Sequence, residues 1–409
     1  MIALALSQAI ATAYATIWAL YLLVFLAAAG MRNPHARVNK RTTELLSPTL
    51  AIIVPAHNMA HVIAQCVDSL LRCHYPQDHV TIYVVADHCT DDTAACAEAA
   101  GATVLTRQDG PQGKTYTLAW SIDTLTQRSI TPDLYVITDA TVQVDPHFLA
   151  ALAEGWQQGE DIITSCATVS PANRKWYARC LGLMLVHRNL QGWCRERLGL
   201  SAWLEGRGMA YSRDYIQRFG WHLALPTGLQ SSHPTEDWRH GVRIVEQGYR
   251  VAFAPTATVV TPLRNSLVAA TQQGARWERG RLINAGTHAL RLLYHGLKQR
   301  ELIKVCAALD AIQPPVALLG ALTIVLALSA MWFPSVGWLG LWAFVPFVLT
   351  GVYGLIVAAR GHREGIHFVT VFWAPIYIVW RCISFVLAWV FLDRLGHLGQ
   401  LKKPNRRLT

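Results

Sequence analysis

The chain has 409 residues, of which 52% are hydrophobic and 15% charged, and it carries a formal net charge of +10. That length allows one large domain or two ordinary ones, and so apolar a composition excludes an enzyme that is soluble throughout. The basic excess does not point to nucleic acid, because Lys and Arg flank apolar runs instead of forming a compact block with aromatics; it fits the positive-inside bias of membrane proteins.

Residues 2–31 contain no charge and are followed by Arg32, Arg37, Lys40 and Arg41. Roughly 20 apolar residues suffice to cross a bilayer. A cleaved signal peptide fits poorly, since the run is too long, lacks a basic start and has its charges on the wrong side. The spacing predicts a membrane span whose C-terminal end is cytoplasmic.

From about Leu50 short apolar runs alternate with helical spacing. Leu50–Pro55 reads as a strand, His61–Arg72 as a helix, Val80–Ala86 as a strand closed by Asp87, and Ala102–Thr106 as a further strand. Gly110–Lys114 is a turn into a helix, and Leu134–Thr138 is a buried strand ending at Asp139. This alternation predicts an α/β fold with a mostly parallel sheet covered on both faces. Nine cysteines, an odd number with no CxxC pair, argue against a metal or disulfide framework. Five of them (Cys66, Cys73, Cys89, Cys96 and Cys166) fall in this region and read as reduced thiols.

Further along, Arg174–Arg197 has helical character, Leu204–Tyr211 reads as a Gly-punctuated loop or short strand, and Thr235–Gln247 as a helix opened by Thr235. Leu282, Gly286, Leu290, Leu293 and Leu297 share one face of a basic amphipathic helix, suited to a membrane surface or to a core. Residues 311–359 contain no Asp, Glu, Lys or Arg, which predicts two spans with a turn near Pro334–Gly337. Ile366–Leu392 is a third apolar stretch, interrupted by Pro375 and Arg381; one stretch is re-entrant or the basic tail breaks the charge rule. An ionisable residue inside such a stretch, here Arg381, is a functional candidate by default.

The chemistry-bearing residues follow from these placements. Asp87 and Asp139 both end strands, at the sheet edge where α/β folds bind ligands. Each, taken singly, reads rather as a helix-capping Asp, and only the motifs together favour a ligand contact. Lys114 opens a helix and suits a phosphate, but GKT lacks the full P-loop spacing. Glu236 and Asp237 are adjacent acids: one can serve as the base of a sugar transfer, or both are dipole-favoured residues at a helix start. Gln273, Arg276 and Trp277 offer a bidentate guanidinium for a diphosphate and an aromatic face for a sugar. A basic interfacial helix with Trp at headgroup level is the competing reading.

In order along the chain stand VPAHN (54–58), VVADHCTDDT (84–93), QGK (112–114), TDATVQVDP (138–146), GRGMA (206–210), TED (235–237) and QGARW (273–277). This succession resembles glycosyltransferase family 2. It is similar to the membrane-bound processive synthases of cellulose, chitin, hyaluronan and poly-N-acetylglucosamine, with a layout most like rhizobial chitin-oligosaccharide synthases. The resemblance covers about residues 48–300 and the flanking spans. It implies a GT-A fold, a UDP-sugar donor, Mg or Mn as cofactor, and inverting transfer to a growing β-linked glycan. Transfer to a lipid-linked acceptor and a catalytically silent, sugar-nucleotide-binding homologue are the alternatives. It implies that Asp87 contacts the base, that Lys114 lies near the nucleotide, and that Asp139 serves the metal and diphosphate. It makes Asp237 the general base with Glu236 beside it, Gln273, Arg276 and Trp277 the cap over the donor, and Gly206, Arg207 and Gly208 part of the acceptor side. The partners implied are the donor, a glycan or lipid-linked acceptor and the bilayer, with the catalytic domain on the cytoplasmic side of the plasma membrane. The domains expected are an N-terminal span (1–31), a GT-A domain (48–265), interfacial helices with the QxxRW motif (266–310), about three membrane or re-entrant helices (311–395) and a basic tail (396–409).

Two departures bear on the chemistry. The family pattern Asp-x-Asp is here Asp139-Ala140-Thr141, and a hydroxyl is a weaker ligand for a hard cation than a carboxylate. His233 is a conceivable substitute, although a solvent-facing loop His is the better reading. Met59-Ala60 stand where the family often has an acid, which touches a donor-side contact.

Overall fold

The computed structural model describes residues 2–31, 47–170, 175–221, 236–261, 266–332 and 338–390. Thr235, His233, the expected turn at Pro334–Gly337 and the basic tail lie outside these residues. In chain order the elements are α1 (Ile2–Met31), β1 (Leu50–Ala56), α2 (Ile63–Leu71), β2 (Val80–Asp87), α3 (Thr93–Ala99), β3 (Thr103–Arg107), α4 (Lys114–Gln127), β4 (Leu134–Ile137), β5 (Gln143–Val144), α5 (Phe148–Gln157) and β6 (Ile162–Val169). There follow α6 (Trp176–Leu198), β7 (Met209–Ser212), α7 (Arg213–Phe219), α8 (Glu236–Glu246), β8 (Ala252–Thr261), α9 (Leu267–Gln299), α10 (Leu302–Ile312), α11 (Val316–Trp332), α12 (Trp338–Arg363) and α13 (Ala374–Val390).

The strands form one sheet in the order β3-β2-β1-β4-β7-β6-β8-β5. β3, β2, β1 and β4 are parallel neighbours, with Leu50 opposite both Val80 and Leu134. β7 runs antiparallel between β4 and β6, and β6 pairs β8 in parallel. The sheet is therefore mixed and mostly parallel, as the βα alternation predicts. Side chains alternate across it. Ile52, Val54, Val84 and Val136 pack on Val67 and Leu70 of α2 and Phe148 and Leu152 of α5. Ala51, Ile53, Val85 and Tyr135 pack on Leu118, Ile122 and Leu125 of α4. Chain order reverses at β1, whose neighbours are β2 and β4, so the carboxyl ends of β2 and β4 flank a topological switch point.

Beyond β8 the chain is helical. α6 lies between the two parts, touching β6 and β8 on one side and α1 and α12 on the other. Trp18 and Leu22 of α1, Val186 and Leu190 of α6, Leu319 of α11 and Tyr353 and Val357 of α12 share one apolar cluster. Among the described residues three helices are long and apolar enough to cross a membrane: Ala5–Met31, Leu341–Arg363 and Phe368–Leu387. α11 meets that criterion only together with α10, from which it bends by 63°. The two-span expectation for 311–359 thus resolves into one full-length helix and one half of a broken pair. On α9 the predicted apolar face splits by role: Leu290 and Leu297 are exposed, while the neighbouring Ala289 and Leu292 pack on Trp238, Val242 and Val245 of α8.

Candidate active site

Lys114, the first residue of α4, follows Gly113, whose φ of 135° is one that side chains rarely adopt. Its ammonium pairs with Asp139 Oδ1, just past β4, and donates to the Gly206 carbonyl. Gly206 N–H in turn donates to Asp237 Oδ2 at 3.1 Å, and Trp238 N–H donates to Asp237 Oδ1 at 2.8 Å. A loop glycine thus links the acid at the sheet edge to the acid at the start of α8. The loop's other glycine also has a steric reason: a Cβ at Gly208 would sit 2.9 Å from Val259 Cγ1 and press on Ser165. Thr138 Oγ1 donates to the Arg207 carbonyl at 3.1 Å, tying the TDAT segment to the GRG loop.

Lys114, Asp139, Gly206, Arg207, Glu236, Asp237, Gln273, Arg276 and Trp277 line one cavity of about 970 Å³. The Arg207 guanidinium lies over the Trp277 ring, 5.5 Å from its centroid, so the GRG and QxxRW motifs meet. Glu236 accepts from Thr115 Oγ1. Burial, the largest influence, raises the Glu236 carboxyl above its usual range, with Asp237 and Asp139 adding to it and Thr115 and Lys114 opposing. For Lys114 burial disfavours the charge, but the pairing with Asp139 and the nearby Glu236 and Asp237 outweigh it and raise its pKa.

Asp87 stands apart. It does not line that cavity, is only 5% exposed, and both its oxygens are engaged. Arg107 Nη1 lies 2.6 Å and His88 Nδ1 2.8 Å from Oδ1, and Thr117 Oγ1 donates to Oδ2 at 2.8 Å. Burial works against the ionised form, yet the bonds from Thr117, His88 and Arg107 together hold its carboxyl below the ordinary range. A carboxyl depressed on folding contributes stability above its unfolded pKa, and this is lost as pH falls through the folded value. Melting temperatures between pH 3 and 7 should accordingly fall with acid, and Asp87→Asn should flatten that fall. An unchanged slope would remove Asp87 from the acid sensitivity.

Several contributors carry no motif. Arg107 ends β3 as Asp87 ends β2, and the rule that strand ends carry function could have found it. Thr115 and Thr117 sit one and three residues past Lys114, on the helix turn that faces the acids. The pair Glu278–Arg381, at 2.5 Å, joins segments far apart in sequence, and Arg188–Glu205, at 2.8 Å, joins α6 to the loop that follows it; neither is signalled by a local pattern.

A switch-point sheet with Asp139 past its carboxyl edge, and Asp237, Arg276 and Trp277 lining the same cavity, is an arrangement of the GT-A type. The chain belongs to the glycosyltransferase like family 2, whose profile matches residues 48–280. Among solved structures it is similar to a mannosyltransferase from Pyrobaculum calidifontis in complex with GDP-mannose and Mn2+, at 16% identity and a TM-score of 0.52. That match covers 93% of this chain and 98% of the other, so the shared fold extends over the apolar helices. It also matches glucosyl-3-phosphoglycerate synthase from Mycobacterium tuberculosis, solved with Mn2+, UDP and phosphoglyceric acid, at 21% identity and a TM-score of 0.38 over 57% of this chain and 78% of that one. No curated protein matches the sequence significantly.

Proposed function

We propose that the chain is an inverting, membrane-embedded glycosyltransferase that takes a sugar from a UDP-sugar at the cytoplasmic face. It passes the sugar to a hydroxyl on a growing β-linked glycan or a lipid-linked acceptor. The observation that carries this reading is the single cavity in which Lys114, Asp139, Asp237, Arg276 and Trp277 converge and which continues among α11, α12 and α13. In this reading residues 48–265 are the catalytic domain, 266–310 lie at the interface, and 1–31 and 311–395 hold the chain in the bilayer. Asp237 takes the proton from the acceptor hydroxyl. Arg276 and Lys114 face the charge on the leaving diphosphate. Trp277 stacks on the sugar, and Gly206–Gly208 shape the acceptor side. Asp87, tied to Arg107, holds the β2–β3 edge beside which the nucleotide base lies.

The donor set fits a divalent cation. Asp139 Oδ2 carries no protein hydrogen bond among the described residues, and ions such as Mg2+ use one or two carboxylates together with substrate phosphates and water. No cluster of three or more His, Cys, Asp or Glu suited to a metal occurs among the described residues, so Asp139 would share the ion mainly with the donor. When bound, the cation supplies neutralisation of the diphosphate. Thr141 is exposed just past the same strand. Thr141→Asp is therefore expected to lower the manganese concentration for half-maximal activity about tenfold, the worth of roughly one added charged contact. Manganese titration of UDP release checks this. Activity indifferent to chelator would remove the metal from the scheme. UDP release from a panel of UDP-sugars, followed by mass spectrometry of the product, tests the proposal itself. Background release from every donor would favour the catalytically silent alternative.

A further inference from the structure

One face of α6 forms part of the cavity wall: Cys180, Leu183, Met184, His187 and Arg188 all line it, at the spacing of successive helical turns. Arg188 is paired with Glu205. His187 is half-buried and ends a chain of hydrogen bonds that starts at the buried Arg195. Arg195 Nη1 donates to Gln191 Oε1 at 3.2 Å, and Gln191 Nε2 donates to the Tyr353 hydroxyl of α12 at 2.8 Å. That hydroxyl lies 2.8 Å from His187 Nδ1.

The chemistry of the donors sets the direction of every link. A guanidinium has no acceptor, so Gln191 turns its carbonyl oxygen to Arg195 and its amide nitrogen to Tyr353. An amide nitrogen only donates, so the phenol oxygen accepts from it and sends its one proton to His187 Nδ1. Nδ1 is therefore an acceptor, and the ring proton sits on Nε2. A doubly protonated ring would strand the phenol proton, because Tyr353 is 0% exposed. Burial, with the guanidinium groups of Arg195 and Arg188 adding to it, pushes the His187 pKa down to about 3. Nε2 has no hydrogen-bond partner among the described residues, yet it is not one of their enclosed, unsatisfied atoms. His187 thus offers a neutral N–H donor to the cavity, at the end of a relay that a buried cation polarises.

We propose that His187 is an acceptor-binding residue: its Nε2–H donates to an uncharged sugar oxygen of the acceptor, while Gln191 and Tyr353 are positioning residues that hold the tautomer. This rests on the glycosyltransferase reading and adds to it a contact on the acceptor. A neutral donor suits hydroxyl, ring and glycosidic oxygens and brings no charge of its own to an anion. A free glycan and a lipid-linked sugar present the same oxygens, so the experiment includes both.

The test uses the full chain in nanodiscs with UDP and Mn2+. Cellotetraose, chitotetraose and hexyl β-glucoside are titrated separately, with tryptophan fluorescence as readout, since Trp203, Trp238 and Trp277 line the cavity. Tighter binding of a tetrasaccharide points to a glycan source, and tighter binding of the hexyl glycoside to a lipid-linked one; either supports the contact. His187→Leu should weaken the sugar that binds about fivefold, the worth of one neutral hydrogen bond, with UDP affinity held within about twofold. His187→Gln, whose amide N–H has about the reach of Nε2, should recover most of the loss. Ring-15N spectra of the histidines read the tautomer directly. The signal missing from His187→Gln should be that of a neutral ring protonated at Nε2, and Tyr353→Phe should turn it into a mixture of the two neutral forms. Should His187→Leu fail to fold, Tyr353→Phe decides: with about half the rings in the wrong form, sugar binding should weaken about twofold. A ring protonated at Nδ1 at pH 7, sugar affinity untouched by His187→Leu or by Tyr353→Phe, no rescue by glutamine, or no binding of any of the three sugars would each overturn the proposal. Failure of the glycosyltransferase reading looks different: no UDP-sugar is cleaved, whatever sugar binds. Asp237-dependent cleavage with no effect at His187 would sink only this contact.

Discussion

Asp237→Asn is expected to lower the rate of sugar transfer by about 10²- to 10⁴-fold, the range that a positioned base contributes. The change keeps the shape of the side chain, but an amide cannot take a proton from the acceptor. It also replaces one acceptor oxygen by a donor, so one of the two N–H groups now satisfied by the carboxylate, from Gly206 or Trp238, loses its partner. That loss costs about 1–3 kcal/mol and acts mainly on the loop carrying Gly206. Donor affinity should change far less than turnover, because Lys114, Arg276 and Trp277 remain. The neighbouring acid provides the contrast. Glu236 is tied to Thr115 and is raised mainly by burial, so Glu236→Gln should reduce turnover less than Asp237→Asn. Initial rates of UDP release at saturating donor, measured for both variants with their melting temperatures, decide the matter. Equal rates for wild type and Asp237→Asn would take the base out of the mechanism, and the reverse ranking would move that role to Glu236.

What could be read from the sequence, and what could not, divides along the range of the interactions. The parallel strands were legible because β1, β2 and β4 are buried on both faces and so appear as unbroken apolar runs. β4 proved shorter than its run, ending at Ile137, so that Asp139 lies in the loop beyond it. The convergence of Lys114, Asp139, Asp237 and QxxRW was legible only through the family succession, since nothing local brings residues 114 and 237 together. The antiparallel insertion of β7 between β4 and β6 was not legible. Its four residues, Met209–Ser212, are all buried and look like the end of a Gly-rich loop. Nor was the position of Asp87. A strand-end acid facing solvent and one locked on Arg107 have the same local sequence, and only the pairing of β2 with β3 sets them together. Arg381 stood out as a charge in an apolar stretch, but its partner Glu278 lies about a hundred residues away and has no pattern of its own.

Loss of the pair Arg195–Asp310 should have the largest effect on stability. Arg195 of α6 is 1% exposed and holds Asp310 of α10 through two arms, with Nε 2.8 Å from Oδ2. Its third nitrogen donates to Gln191 Oε1 at 3.2 Å, and Tyr21 of α1 donates to Asp310 Oδ1 at 2.8 Å. The guanidinium also lies over Phe25 and Trp203, 5.4 and 5.7 Å from their ring centroids. Three helices and the loop before β7 therefore meet at one planar cation. Arg195→Met leaves a carboxylate buried without its counter-charge, a change that costs about 3–5 kcal/mol. Lysine should not rescue it, because a single ammonium cannot reproduce the two-armed contact. The double variant Arg195→Met, Asp310→Leu removes both charges and should recover most of the loss, since apolar replacements of a buried pair are often neutral. Thermal unfolding of the wild type, Arg195→Met, Asp310→Leu and the double variant gives the coupling directly. Additive effects would show that the pair does not act as a unit. The consequence also reaches the site: α10 packs along α9, which carries Gln273, Arg276 and Trp277, and Asp310 itself lines the cavity. A loosened α10 should therefore weaken donor binding before the sheet unfolds, so in Arg195→Met the KM for donor should rise at temperatures where the β-sheet circular dichroism is still intact.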